Sequence, residues 1–238
     1  PVALNASDAR RLSRVVRETG NVLLPGHILR FVPQYALVKD RLLKGEAVRS
    51  VFLRRNVPRE RFGRHGRTHP VLMSLSHDID LLLWFLADQR PERVYAVERR
   101  ISGSDNPDVF WGIVEFSGGT VACLESLWTV PDGGGRYVDV ELEVSTVARM
   151  ITVKNPDDAV TIIDGEKPVH PALSVDAEVG GRRFGALKEE LVHFVAVARG
   201  EVQPVVSVDD AVEAIALGEA LIQSAKTRAP VELSGSTS

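Results

Sequence analysis

Between residues 76 and 86 the sequence reads Ser-His-Asp-Ile-Asp-Leu-Leu-Leu-Trp-Phe-Leu, so a helix formed here is apolar almost all round beyond its first turn. Only a helix enclosed on several sides tolerates that pattern. Any fold that accommodates it must therefore build walls around it. A chain of 238 residues with 44% hydrophobic content is long enough to do so. This helix is expected to begin near Ser74 or Ser76 and to be the most buried element.

The walls are legible on both sides. Ser7 can cap a helix over residues 8–19, with Leu12, Val15 and Val16 as its apolar stripe and Gly20 as its stop. Val22, Leu23 and Leu24 follow as a short strand. Pro33 suits the first turn of a helix over residues 33–44, and a strand is predicted over residues 48–57. Residues 54–69 are polar, with six arginines and two histidines, and read as a long loop. The middle third turns to strands at residues 94–101, 109–116, 120–128, 137–144, 150–154 and 160–163, with a Gly118-Gly119 hairpin between two of them. Val138, Val140, Leu142 and Val144 alternate with Asp139, Glu141 and Glu143, so one face of the sheet is packed and the other meets water or a partner. Two helices close the chain, one over residues 184–199 and one capped by Ser207 with Asp210 three residues on. The last presents Ala211, Ile215, Gly218 and Ile222, small enough to pack closely on a sheet. The sum is an α+β fold: an open, mainly antiparallel sheet with helices on one face.

Several functions are excluded or disfavoured. A net charge of -3 offers no broad basic surface, so neither nucleic acid nor a membrane surface is expected as a partner. No apolar run approaches the roughly 18 residues of a membrane span. Cys123 is the single cysteine, read as a core thiol, and a cytoplasmic setting is expected. No Gly-x-Gly-x-x-Gly follows a strand, so no dinucleotide cradle is present. Residues 180–185 lack the Lys-Ser/Thr of a phosphate loop, and His65 and His69 lack the spacing of a zinc site, so no bound metal is expected.

Two stretches carry chemistry. His77-Asp78-Ile79-Asp80 opens the enclosed helix, where the positive end of the helix dipole favours neutral imidazole able to accept a proton from a hydroxyl. Asp80, three residues on, can hold the ring or line a pocket. The plainer alternative is that Asp78 complements the dipole and His77 caps or packs. Residues 26–35, Gly-His-Ile-Leu-Arg-Phe-Val-Pro-Gln-Tyr, lie between a strand end and a helix start, where His27 and Arg30 can hydrogen-bond substrate hydroxyls or phosphates. Equally, Arg30 can serve only as an ion-pair partner.

Taken together, residues 26–35 and, some forty residues on, His77-Asp78-Ile79-Asp80-Leu81 with Trp84 and Leu86 resemble the C-terminal part of the glucose-fructose oxidoreductase / inositol dehydrogenase / MocA family. The resemblance implies a dihydrodipicolinate-reductase-like C-terminal domain with its N-terminal Rossmann domain absent. Residues 1–26 would be the remnant helix and strand of that Rossmann domain, residues 27–233 a substrate-binding and oligomerisation domain, and residues 234–238 a disordered tail. Pro1-Val2-Ala3-Leu4 looks like the end of a Glu-Lys-Pro motif whose lysine is catalytic. His77 matches the catalytic histidine, and His27 and Arg30 match the substrate and nicotinamide cleft, with His69 and Asp80 as further substrate-binding candidates. One departure stands out: Met73 occupies a position, four residues before the histidine, where many members carry aspartate. The resemblance implies NAD or NADP bound by the intact protein and none by this chain alone, a sugar or polyol substrate, and a homo-oligomer built through the sheet face. A non-catalytic binding or assembly module of the same fold, and a sugar isomerase or lyase using His77 without nicotinamide, are the rival readings.

Overall fold

The computed structural model describes residues 1–42, 45–65, 67–132, 138–155, 160, 162–164, 167–169 and 173–233. The expected disordered tail, the Gly133 to Gly135 run and the first residue of the strand expected at 137 lie outside these. Helix α1 (Ala6–Thr19) is capped by Asn5, whose side chain accepts from the Asp8 N–H, rather than by Ser7. It ends at Gly20, at φ 65° in the left-handed region. Residues 21–27 are not in a strand, and no strand of the described sheets pairs with them, so the expected strand at Val22 to Leu24 does not form. A 3-10 turn, Ile28–Phe31, then leads into α2 (Pro33–Leu42) and β1 (Val48–Asn56).

The arginine-rich stretch is not all loop. Helix α3 (Arg59–His65) forms within it, its Glu60 N–H donating to Asp132 Oδ1 at 2.8 Å. Phe62 packs edge-on against Trp128 with ring centroids 5.6 Å apart, which anchors a segment that looks polar by composition. A π-helical turn, Val71–Leu75, precedes α4 (Ser76–Phe85), the enclosed helix expected from the sequence. Ile79, Leu81 and Leu82 on it have no exposure at all.

The strands follow as β2 (Pro91–Arg99), β3 (Val109–Phe116), β4 (Val121–Leu127), β5 (Asp139–Thr146) and β6 (Met150–Asn155). Two short hairpins come next, β7 (Ile162–Asp164) with β8 (Lys167–Val169), and β9 (Ala177–Val179) with β10 (Arg182–Phe184). Helices α5 (Ala186–Ala198) and α6 (Val208–Thr227) and the two-residue β11 (Val231–Glu232) complete the chain. The main sheet has seven strands in the order β11-β2-β3-β4-β1-β5-β6. Every pairing is antiparallel except β1 with β4, which makes the sheet mixed.

Side chains alternate across it. Leu53, Phe110, Val114, Leu124 and Leu142 enter the core under the helices, whereas Tyr95, Trp111, Ile113 and Val121 remain exposed on the other face. Cys123 lies half-buried on that open face instead of in the core. Among the described residues no helix is long and apolar enough to cross a membrane.

Helix α6 has three working faces rather than one turned to the sheet. Ile215 meets Ala6 and Ala9 of α1. Gly218 lies against the π turn, where an added Cβ would come within 3.3 Å of Val71 and Leu72. Leu221 and Ser224 meet the sheet itself, Ser224 Oγ accepting from the Ala96 N–H at 3.0 Å. Leu221 sits down on β3 only because Gly112 has no side chain, since a Cβ there would stand 2.9 Å from its Cδ2. Replacing Gly112 with alanine should lift α6 and cost about 1–3 kcal/mol of stability, as overpacking does. Chemical denaturation of the two chains measures this, and an unchanged midpoint would contradict the packing described.

Candidate functional site

Two carboxylates on the first turns of α4 are buried, Asp78 at 0% and Asp80 at 1% exposure, and each has its own guanidinium. Arg55, near the end of β1, donates to Asp78 through Nε at 2.5 Å and Nη2 at 3.1 Å. Arg30, in the 3-10 turn, donates to Asp80 through Nε at 3.0 Å and Nη2 at 2.6 Å. Its Nη1 donates to the Val205 carbonyl at 3.0 Å and reaches Asp210 at 3.5 Å, while its Cζ lies 5.5 Å from the Trp84 ring centroid. Both forks are the bidentate geometry that arginine matches to carboxylate. They pin α4 to the sheet on one side and to the 3-10 turn and the start of α6 on the other.

Two imidazoles flank this frame. His27 lies just before the 3-10 turn, its Nδ1 3.5 Å from Asp80 Oδ1 but not hydrogen-bonded to it. His77 sits in the first turn of α4, half-buried, and its Nδ1 is also buried without a hydrogen-bond partner. Burial is the main cause that holds both rings below their ordinary 6.5. For His77 the value falls to about 3, with Arg55, His27 and the amino group of Pro1 adding to burial. For His27 the charge of Asp80 works the other way and limits the fall. The result is a pair of neutral imidazoles, each with a buried Nδ1 free of hydrogen bonds, beside guanidinium–carboxylate pairs, and a neutral imidazole can accept a proton or exchange hydrogen bonds with a hydroxyl.

The residues singled out from the sequence are thus divided by the fold. His27, Arg30, His77 and Asp80 come together, but Arg30 and Asp80 spend their bonding capacity largely on each other and on Val205 and Asp210. His69 stands apart: its Nε2 pairs with Glu98 at 3.0 Å, its Nδ1 accepts from the Val71 N–H, and its ring lies edge-on to Phe110. Met73 lies in the π turn, its N–H bonded to the His69 carbonyl. The residue that sequence reasoning missed is Arg55. Its place in the arginine-rich stretch concealed it, and strand alternation, which puts it on the same face as Leu53, was the signal available. Among the described residues no group of three or more His, Cys, Asp and Glu side chains is placed to hold a metal ion.

These rings make stability depend on pH with a definite sign. An unfolded chain protonates histidine near 6.5, whereas folded His77 resists protonation down to about 3. Between those values the unfolded state binds more protons, so stability rises with pH and is lost on acidification. His27 and His69, also held low, act in the same direction. Asp210, whose carboxyl is held below 3.8 by Ser207 and Arg30 despite burial, loses its contribution only at lower pH still. Denaturation midpoints should therefore fall steadily from about pH 7 to about pH 4, and His77→Gln should flatten that slope. An equal slope in both proteins would contradict a His77 held neutral by the fold.

Comparisons with known proteins agree with this architecture. Residues 44–151 match the model of the GFO/IDH/MocA C-terminal domain. The 1,5-anhydro-D-fructose reductase of Ensifer adhaerens is 25% identical, over 98% of this chain and 71% of that protein. The scyllo-inositol 2-dehydrogenase (NAD(+)) of Bacillus subtilis strain 168 is 24% identical, over 98% of this chain and 69% of its own length. Among solved structures, GenD2 from gentamicin A biosynthesis in complex with NAD superposes with a TM-score of 0.81 at 20% identity, over 99% of this chain and 70% of that one, and so shares the fold. Over residues 44–151, this chain is similar to the C-terminal domain of the GFO/IDH/MocA family.

Proposed function

We propose that this chain is the substrate-side part of an NAD(P)-dependent oxidoreductase acting at a hydroxyl-bearing carbon of a sugar or polyol, with His77 as its acid/base group. The observation that carries the reading is the buried, partnerless Nδ1 of a His77 held neutral by its surroundings. The similarity to a sugar reductase and an inositol dehydrogenase supports the substrate class. A cytoplasmic setting suits such an activity and a chain with one cysteine.

The residues present fit the substrate side of such a reaction and not the dinucleotide. The sequence has no Gly-x-Gly-x-x-Gly turn to cradle a pyrophosphate. This chain alone is therefore expected to be inactive. When bound elsewhere in the intact enzyme, nicotinamide supplies the acceptor for the hydride that leaves the carbinol carbon. What this chain does is manage the proton. Neutral His77 takes it from the substrate hydroxyl as the carbonyl forms, and returns it in the reverse direction. A ring so reluctant to carry charge holds the proton only in passing. His27 offers a second neutral ring for a neighbouring hydroxyl, and the Arg30–Asp80 and Arg55–Asp78 pairs fix the wall in which both are set. In the intact enzyme, His77→Ala should lower turnover by about 10²-fold or more. Steady-state kinetics on a sugar or polyol measures it, and near-normal turnover would remove His77 from the role.

The open sheet face supports self-association as a dimer or tetramer. Tyr95 pairs across strands with Ile113, Val97 with Trp111, and Ile113 with Cys123, giving one continuous apolar patch. Phe52 extends it, its ring 6.5 Å from that of Trp111. Exposed ion pairs such as Arg93–Glu115 at 2.7 Å border the patch. A patch of this kind on a packed sheet suits a self-complementary interface. Light scattering should show a dimer or larger, and Trp111→Glu should shift it to monomer. A wild-type monomer at high concentration would contradict the interface.

A further inference from the structure

We infer that Arg55 is a positioning residue for His77, its ion pair with Asp78 keeping the adjacent imidazole in the proton-accepting form. The inference rests for its catalytic meaning on the role proposed for His77, but its physical content is independent of that role.

Asp78 follows His77 directly on α4. Successive helical side chains diverge, so Asp78 is aimed at β1 while His77 is not. A carboxylate with no exposure, one residue from an imidazole, would ordinarily find its counter-charge by protonating that imidazole. Arg55 removes this option. It is 7% exposed, sits between the buried Leu53 and Val57, and grips Asp78 with two hydrogen bonds. Arginine does not deprotonate in proteins, so the carboxylate is permanently satisfied. The guanidinium also repels a proton on His77 directly, because its charge lies close enough to lower that ring's affinity. The other titratable groups facing His77 are His27, from the segment before the 3-10 turn and itself held neutral, and, in this chain, the amino group of Pro1; neither draws a proton onto the ring. From α2, the phenol of Tyr35 faces Arg55 and favours its charge. The second clamp differs in its effect: Asp80 and Arg30 act on His27. The two arginines are thus not interchangeable struts.

The test is the titration of His77, followed by NMR of its labelled imidazole in the 238-residue chain, with His69 and its own Glu98 partner as the internal reference. Arg55→Gln leaves Asp78 uncompensated and should raise the proton affinity of His77 by about tenfold or more, a full pH unit. Arg55→Lys keeps the charge and should leave the midpoint near that of the wild type. Should the Gln variant fail to fold, Arg55→Met with Asp78→Asn removes both charges. It should still raise the midpoint, by less, because the direct repulsion is gone. His69 should titrate as before in each. A His77 midpoint unmoved in either folded charge-removing variant overturns the inference, whatever His77→Ala does to turnover. In the intact enzyme, Arg55→Gln should shift the acid limb of the kcat profile upward by about one pH unit while kcat at neutral pH and KM change little. A fall in kcat with an unshifted pH profile would mark Arg55 as a structural strut only.

Discussion

Burying two carboxylates on one helix is the demand that organises this molecule. Asp78 and Asp80 cannot be placed without exposure beside an apolar helix unless each meets a cation in good geometry, since an unpaired buried charge costs several kcal/mol. Arg55 and Arg30 meet that demand from opposite sides, one from the sheet and one from the turn ahead of α2. Either pair broken alone would leave a stranded charge, at a cost of about 3–5 kcal/mol. The enclosed helix, the sheet and the entry segment are therefore tied together by the same four side chains that frame His27 and His77.

This explains why the imidazoles can remain neutral in such charged company. Each carboxylate is matched by its own guanidinium, and although Asp80 still favours a proton on His27, burial outweighs it. The arrangement separates two tasks that often fall to one residue. Arg–Asp pairs hold the geometry, and Nδ1 of each histidine is left without a hydrogen-bond partner. It also gives a physical reading of Met73. With no carboxylate at that position to orient His77, orientation falls to the helix itself and to the frame that pins it.

Much of this was legible in the sequence where the signal is local. The apolar run from Ile79 announced the enclosed helix, Ser207 and Asp210 announced the capping box, and His77-Asp78-Ile79-Asp80 marked the helix start on which the site is proposed. What was not legible depends on partners distant in the chain. Val22 to Leu24 has the composition of a strand but, among the described residues, no neighbour to ladder with. Helix α3 looks polar until Phe62 finds Trp128. The parallel pairing of β1 with β4 needs the whole topology. Arg55, one of six arginines in sixteen residues, is distinguished only by strand parity and by a helix more than twenty residues away. His69 shares the residue type of His27 and His77, but its ring is engaged by Glu98 and Phe110.

The most direct measurement is a crystal structure of the intact protein with nicotinamide coenzyme and a sugar or polyol bound. The reacting hydroxyl is expected within hydrogen-bond reach of a His77 ring nitrogen, about 2.6–3.2 Å, with Arg55–Asp78 and Arg30–Asp80 still paired behind it. A substrate whose reacting carbon lies beyond the reach of His77, even through one water, or a site in which those pairs have opened to bind it, would contradict a proton-handling wall built on closed ion pairs.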